Sequence, residues 1–233
     1  MGFVQGGTVI HDGDNLKIQG VAPAGMAAQG EIIYRAAVGT EWGLLAYASG
    51  QVASFTLDTT GASLIVVTIG VFVNAAASVW DAQGNTWTPF GQVGGSPFAR
   101  MFYCINPVTS SQHTVNASGN FSGTIVSAFS GPASLVSDQG SQDNVSGTPV
   151  TVQLPPITPA PNSLVVVMMG LNCPSVSIDQ NFQIIDIVPR TGSIGVAAAY
   201  LVAADSTELA PTWTTVNNVS GDNPVIMLSF RPA

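Results

Sequence analysis

The feature that most constrains the fold of this chain is a strand pattern that occurs twice, about 100 residues apart. Ser-Leu-Ile-Val-Val at 63–67 returns as Ser-Leu-Val-Val-Val at 163–167, and Ile-Val-Ser-Ala-Phe at 125–129 returns as Ile-Met-Leu-Ser-Phe at 226–230. The pair Trp80-Asp81 is matched by Ile178-Asp179 at a similar offset. Self-similarity held over several landmarks indicates an internal duplication. We place the repeats at about 53–131 and 149–233.

The apolar runs of both repeats are typical of β-strands. They are rich in β-branched residues and are bounded by clusters of Gly, Pro, Asn and Ser, with 25 Gly and 15 Pro in the chain. No stretch has a 3.6-residue apolar stripe. The sequence therefore predicts an all-β fold, an antiparallel, jelly-roll-like β-sandwich. It also predicts a loop over the Ser-, Gly- and Gln-rich segment 130–148 and a hairpin turn at Gly84-Asn85.

How the two repeats combine is left open between two arrangements. Each repeat carries roughly six predicted strands, and the runs 64–67 and 165–169 contain only apolar residues. Such runs require burial on both faces. This favours one sandwich with pseudo-two-fold character, in which two sheets close over one core. Two small sandwiches packed together are the alternative.

The first 50 residues have a different composition from the rest and are predicted to form an arm. Short pieces punctuated by glycine lack the apolar density of a core. Residues 8–11 and 16–19 could pair as a small hairpin across the Asp-Gly turn between them. We therefore divide the chain into an extended Gly-rich N-terminal arm at 1–50 and a β-sandwich at 51–233.

The charge of the chain excludes several kinds of partner. Only 8% of residues are charged and the net charge is −8, so we expect neither nucleic acid nor an anionic membrane surface as a partner. The apolar stretch 63–80 is read as buried strands with a connecting loop, since it is interrupted by Asn74 and rich in Val, Ile, Thr and Gly. Cys104 and Cys173 are predicted to be two buried free thiols.

The sequence offers little material for catalysis or metal binding. The two histidines, His11 and His113, are both expected to be solvated loop residues. Paired carboxylates for glycoside cleavage would have to come from Asp81, Asp179, Asp186 and a few others. Asp81 and Asp179 lie near predicted turns at equivalent repeat positions, so a turn-forming role explains both. The segment 12–15 hints at calcium but lacks the later Glu of an EF-hand loop. We predict no enzyme, no metal and no cofactor.

Aromatic side chains raise the possibility of glycan binding. Trp80, Trp87, Tyr103 and Trp213 are available, but no two of them form an obvious platform in the sequence. Core packing is the default for such residues. We therefore expect each of the four to be packed in the core.

A resemblance to a known family is carried by the end of the arm. Gln-Gly-Glu-Ile-Ile-Tyr-Arg at 29–35 is followed by Trp-Gly-Leu-Leu at 42–45 and Ser-Gly-Gln-Val at 49–52. This resembles the segment G-D-I-L-Y-R … W-x-x-L … G-Q-V-L of tail-fibre and related virion proteins of tailed bacteriophages, with Glu31 in place of the usual Asp. The region around 84–87 resembles β domains of phage and bacterial surface proteins.

The resemblance implies a non-enzymatic virion structural protein, a capsid decoration, head fibre or short spike assembled in the host cytoplasm. The arm would attach to capsid or tail proteins of the particle or form a homotrimer, and the sandwich would be displayed. The alternative is a receptor-binding module for host surface glycan. The candidate assembly-interface residues form an apolar cluster with one arginine: Ile32, Ile33, Tyr34, Arg35, Trp42, Leu44 and Leu45.

Overall fold

The prediction of an all-β, antiparallel sandwich is confirmed. The computed structural model describes residues 8–12, 15–19, 41–72, 77–95, 97–118, 123–132, 134–190, 194–217 and 220–233. Within these ranges every regular element is a β-strand, and all strand pairs are antiparallel. No helix in the described part of the chain is long and apolar enough to cross a membrane.

The first two strands form the predicted small hairpin, in which β1 (Thr8–Asp12) pairs with β2 (Asn15–Gln19). The first repeat then contributes eight strands: β3 (Gly43–Gly50), β4 (Ser54–Leu57), β5 (Leu64–Val71), β6 (Ser78–Asp81), β7 (Thr88–Gly94), β8 (Phe98–Ile105), β9 (His113–Ser118) and β10 (Thr124–Ser130). The second repeat contributes eight more: β11 (Leu135–Gly147), β12 (Thr151–Gln153), β13 (Ser163–Leu171), β14 (Ser175–Ile178), β15 (Gln183–Val188), β16 (Gly195–Ala203), β17 (Thr212–Val216) and β18 (Gly221–Pro232).

Both repeats have the same topology. The first forms a five-stranded sheet in the order β3-β10-β5-β8-β7 and a three-stranded sheet in the order β4-β9-β6. The second forms β11-β18-β13-β16-β15 and β12-β17-β14. Each order is that of a jelly roll whose fifth strand has joined the larger sheet. The duplication is therefore present in the strand connections as well as in the sequence.

Three local expectations are corrected. The segment 130–148 was predicted to be a loop, but most of it is β11, which pairs with β18 along the sheet edge. The prediction of a hairpin at Gly84-Asn85 is also wrong, because the flanking strands do not pair with each other. Strand β6 pairs with β9 and strand β7 pairs with β8, in different sheets. Each repeat has eight strands rather than six, and the first of them, β3, lies within the range assigned to the arm.

Three hydrophobic cores define how the layers stack. One core lies between the two sheets of the first repeat, and a second lies between the two sheets of the second repeat. The third draws residues from both five-stranded sheets, which face each other; we call it the central core. The chain is thus two sandwiches packed together, the alternative left open, and not one sandwich closing over a single core.

This stacking explains the uninterrupted apolar runs. All eight residues of β5 and all nine of β13 are buried. Leu64 and Val66 face the central core, whereas Ile65 and Val67 face the core of their own sandwich. A sheet covered on both faces has no solvent side on which polar residues could alternate. The expected burial of both faces is confirmed. One face is covered by the sheet of the same sandwich and the other by the second sandwich.

The contact between the sandwiches has pseudo-two-fold character. Strand β7 lies against β11 and β18, while its equivalent β15 lies against β3 and β10. Tyr103 packs edge-on against Phe230 with ring centroids 5.2 Å apart, and the equivalent pair Tyr200 and Phe129 does the same at 5.5 Å. Reciprocal contacts of this kind are the mark of an isologous interface.

We expect Phe129→Ala and Phe230→Ala to lower the free energy of unfolding by similar amounts, about 3–5 kcal/mol each. The reason is that both rings are fully buried at equivalent positions of the central core. Urea denaturation followed by circular dichroism measures both values. Val108→Ala, at a side chain 61% exposed, is the control and should change the value by less than about 0.5 kcal/mol. A large loss at one phenylalanine and a negligible loss at the other would contradict an energetically symmetric contact.

Candidate functional site

The candidate assembly residues fall into two groups. Ile32, Ile33, Tyr34 and Arg35 lie outside the described residues. Trp42, Leu44 and Leu45 are buried within the chain. Leu44 belongs to the central core and Leu45 to the core of the first sandwich. The Trp42 indole Nε1 donates to the Asn162 carbonyl oxygen of the other repeat at 2.8 Å, so this tryptophan joins the two sandwiches.

The first sandwich contains a buried polar cluster with the outline of a catalytic triad. His113 begins β9, Asp81 ends β6 and Thr59 follows β4. His113 Nε2 lies 3.2 Å from Asp81 Oδ2, and His113 Nδ1 lies 2.9 Å from Thr59 Oγ1. A proton on Nε2 lets His113 donate to the Asp81 carboxylate, while Nδ1 is within hydrogen-bond distance of the Thr59 hydroxyl.

Asp81 is the hub of the buried polar cluster. Its Oδ2 accepts from three side-chain donors: Asn85 Nδ2 at 2.9 Å, Trp87 Nε1 at 3.2 Å and His113 Nε2 at 3.2 Å. Its Oδ1 accepts from the Asn85 backbone N–H at 3.1 Å. A carboxylate with these partners ties the connection between β6 and β7 to strand β9.

The buried polar cluster is sealed from solvent. The side chains of Asp81 and His113 are 0% exposed, and Thr59 is 0% exposed as well. The Thr59 hydroxyl also accepts from the Ser110 backbone N–H at 3.1 Å. The expectation that His113 is a solvated loop residue is wrong, because strand β9 turns its side chain inward toward partners 32 and 54 residues away.

The described residues of the second sandwich form no such cluster. Asp81 lies opposite Val115 of β9, and the residue in the equivalent register is Ile178, opposite Trp213 of β17. Pro211, which precedes β17, stands in the place of His113, and Ile157 stands in the place of Thr59. The equivalence of Asp81 with Asp179 is therefore off by one residue. Apolar side chains of the second repeat replace the polar cluster of the first.

The pKa values of two groups in the first sandwich are shifted. Burial alone raises the pKa of the Asp81 carboxyl, but hydrogen bonds from Asn85 and His113 and the charge of His113 outweigh burial and lower it. Burial, with a smaller contribution from the Asp81 charge, raises the pKa of the Cys104 thiol to about 11. Burial also raises the pKa of Cys173. Both cysteines are buried and free, as predicted.

The remaining acidic candidates do not form a site. Asp179 Oδ1 accepts from the Thr212 backbone N–H at 2.7 Å. Asp186 Oδ1 accepts from the Ile187 backbone N–H at 2.8 Å, and its Oδ2 accepts from the Ser49 hydroxyl of the other repeat. His11 lies in β1, and part of the segment 12–15 lies outside the described residues. No group of three or more possible ligands among the described residues could hold a metal ion.

Trp80 is the exception among the four aromatic candidates for glycan binding; outside that set, Phe72 is also 49% exposed. Trp213 is fully buried, Trp87 packs against the core of the first sandwich, and Tyr103 packs against the central core. Trp80 was expected in the core, but it is 49% exposed. Side chains alternate along β6, so buried Val79 and Trp80 point to opposite faces.

Trp80 stands on the solvent face of the β4-β9-β6 sheet. We call this surface the Trp80 face and define it by seven residues: Ser54, Thr56, Ser78, Trp80, Thr114, Asn116 and Ser118. Asn116 of the central strand lies directly between Ser54 and Trp80 in the register. The hydroxyls of Ser78 and Ser118 are 2.7 Å apart, and those of Thr56 and Thr114 are 3.0 Å apart. These cross-strand pairs fix the polar side chains around the indole.

The second sandwich presents an equivalent face without an aromatic residue. In the register, Ser177 corresponds to Trp80 and Thr214 corresponds to Asn116. Val216, 50% exposed, lies on the same face at the end of β17. The two outer faces thus share a scaffold and differ at the residue that would contact a ligand most extensively.

We expect the stability of the protein to fall in acid because of Asp81. Its folded-state pKa is lower than the ordinary value of 3.8, so its contribution is fully present above that value and is lost as the pH falls through the folded pKa. Thermal denaturation from about pH 7 to about pH 2 measures this. In Asp81→Asn this part of the acid-induced loss should be absent, while Asp179→Asn, which leaves Asp81 intact, should retain it. Identical pH profiles for the wild type and Asp81→Asn would contradict the assignment.

The comparisons with known proteins give no family. No protein-family model and no curated protein matches the sequence. A solved structure, that of HutD from Pseudomonas fluorescens SBW25 (formate condition), aligns over 97% of this chain and 99% of its own, with 13% identity and a TM-score of 0.30. None of these comparisons supports the predicted virion structural function, and that prediction is withdrawn. The TM-score is too low for HutD to support any argument about what this chain does.

Proposed function

We propose that this protein is a non-catalytic binding module and that the Trp80 face is its binding surface. The observation that carries the proposal is the position of Trp80, which is half exposed on the outside of a regular, hydrogen-bonded sheet. A large aromatic side chain held at the surface by a strand contributes much contact area and little entropy cost on binding.

The scaffold behind the Trp80 face is suited to binding. The inward side chains of the same three strands, among them Phe55, Val79 and Val115, are buried in the core of the first sandwich. The carboxylate of Asp81, the residue next to Trp80, is held by Asn85, Trp87 and His113. A surface that is already ordered loses little conformational freedom when a ligand binds.

The burial of the polar cluster argues against a catalytic role for its residues. A nucleophile must reach the substrate, but Thr59 is fully buried and its hydroxyl bonds to His113 and to the Ser110 backbone. The three side chains have the arrangement of a catalytic triad, but a substrate could not reach the Thr59 hydroxyl. We assign the cluster the structural role of fixing the connection between β6 and β7.

The binding proposal is tested by screening the full chain against panels of saccharides and of peptides, in parallel with Trp80→Ala and Val216→Ala. Val216 is the matched control, because it is 50% exposed against 49% for Trp80 and lies on the equivalent face of the second sandwich. We expect at least one ligand whose affinity falls tenfold or more in Trp80→Ala and is unchanged in Val216→Ala. If every ligand of the wild type bound Trp80→Ala equally well, the Trp80 face would not be the binding surface.

The structural role of Thr59 is tested separately with Thr59→Val, which keeps the side-chain shape and removes the hydroxyl. We expect the free energy of unfolding to fall by about 1–3 kcal/mol, since a buried hydrogen-bond partner is lost. Ligand affinity should stay the same, and a fluorophosphonate probe should not label the native wild-type protein. Labelling at Thr59 would contradict the non-catalytic assignment.

A further inference from the structure

We propose that the ligand of the Trp80 face is a neutral saccharide, with one pyranose ring stacked on the Trp80 indole and its hydroxyl groups bonded by Asn116 and the neighbouring hydroxyl side chains. This inference rests on the proposed binding function and names its ligand class. The composition, charge and size of the surface support it in separate ways.

The composition of the Trp80 face matches the two sides of a sugar ring. A pyranose has an apolar face of C–H groups and an equatorial rim of hydroxyls. The indole offers a flat apolar surface for the first. The other six residues carry only hydroxyl or amide groups. The Asn116 amide can both donate and accept, as hydroxyl ligands require.

The register brings these groups within reach of one ring. Asn116 lies directly opposite Trp80 on the adjacent strand, and neighbouring strands are about 4.8 Å apart. Ser78 and Ser118 lie one row further along the same strands, two residues from Trp80 and Asn116. The amide and the nearest hydroxyl pair therefore stand beside the indole at distances comparable with the width of a single sugar.

The charge of the surface selects a neutral ligand. None of the seven residues of the Trp80 face is charged, so no Lys or Arg is available to pair with a carboxylate, sulfate or phosphate group on this face. The whole chain has five basic residues and a net charge of −8, which repels polyanions at long range. Uronic-acid and sulfated glycans are accordingly disfavoured.

The size of the surface favours a saccharide over a protein partner. A stable protein–protein interface buries about 800 Å² on each side around a well-packed apolar centre. The Trp80 face offers one large apolar side chain within a polar surround, which is enough to orient a small ligand. One stacked ring with a few hydrogen bonds corresponds to a dissociation constant on the order of 1 mM for a short oligosaccharide.

The first test is a titration of the full chain with neutral oligosaccharides (cello-, malto- and chito-oligosaccharides) and with oligogalacturonate as the anionic counterpart. Tryptophan fluorescence and the indole N–H resonances report binding. We expect saturable binding of at least one neutral series and none of the anionic one. Affinity should fall tenfold or more in Trp80→Ala, less in Trp80→Phe and Asn116→Ala, and not at all in Val216→Ala. Trp80→Phe guards against misfolding, since it retains an aromatic ring.

The second test builds the site where the chain lacks it. Ser177→Trp combined with Thr214→Asn places the same two side chains in the equivalent register of the second sandwich. We expect the stoichiometry of the neutral saccharide to rise from one to two per chain. A stoichiometry that stayed at one, with the variant folded, would overturn the assignment of the site to these two residues.

The outcomes separate the ligand class from the function. Trp80-dependent binding of a peptide, with no saccharide bound, would overturn the saccharide and leave the binding function standing. Preference for the anionic series would overturn the charge argument and with it the proposal. Absence of any Trp80-dependent ligand would overturn both.

Discussion

The rest of the structure depends on the contact between the two five-stranded sheets. Each of these sheets is covered on one face by its own three-stranded sheet and on the other by the sheet of the other repeat. Removal of apolar area from water is the main favourable term in folding, and here the innermost strands, β5 and β13, contribute both faces to it. The two innermost strands consequently have no exposed residues, and a binding surface has to lie on the outer sheets, the sheet edges or the connections.

The two outer sheets have diverged within this fixed frame. The first sandwich holds a carboxylate, an imidazole and a hydroxyl where the second holds Ile178, Pro211 and Ile157. A buried carboxylate is tolerated only when its partners replace the lost hydration, and the four hydrogen bonds of Asp81 do so. The apolar side chains at these positions of the second sandwich need no such hydrogen bonds. The polar cluster of the first sandwich fixes Asp81, the residue next to Trp80. It therefore lies directly behind the outer sheet that carries the exposed Trp80 side chain.

Much of the fold could be predicted from the sequence, because continuous apolar runs, glycine punctuation and the offset near 100 are local or repetitive signals. The strand β11 was missed since an edge strand with one exposed side is rich in Ser, Asp and Gln and looks like a loop. The burial of His113 depends on Asp81, 32 residues away, which no local pattern reveals. Apolar side chains usually face the core and charged ones the solvent, but on β6 Trp80 is exposed and the Asp81 side chain is buried. Only the register of β6 on β9 could settle that.

The pseudo-two-fold contact has a consequence for how far a repeat of this kind can be multiplied. Once two units have packed together through a self-complementary face, that face is fully covered, because each unit buries the apolar surface of the other. A third unit appended to this chain would have no free inner face to pack against and would leave its own five-stranded sheet exposed to water. Solenoid repeats can be extended because each internal repeat packs against one neighbour on either side. This jelly-roll repeat closes at a pair, so longer chains are expected to contain it in even numbers.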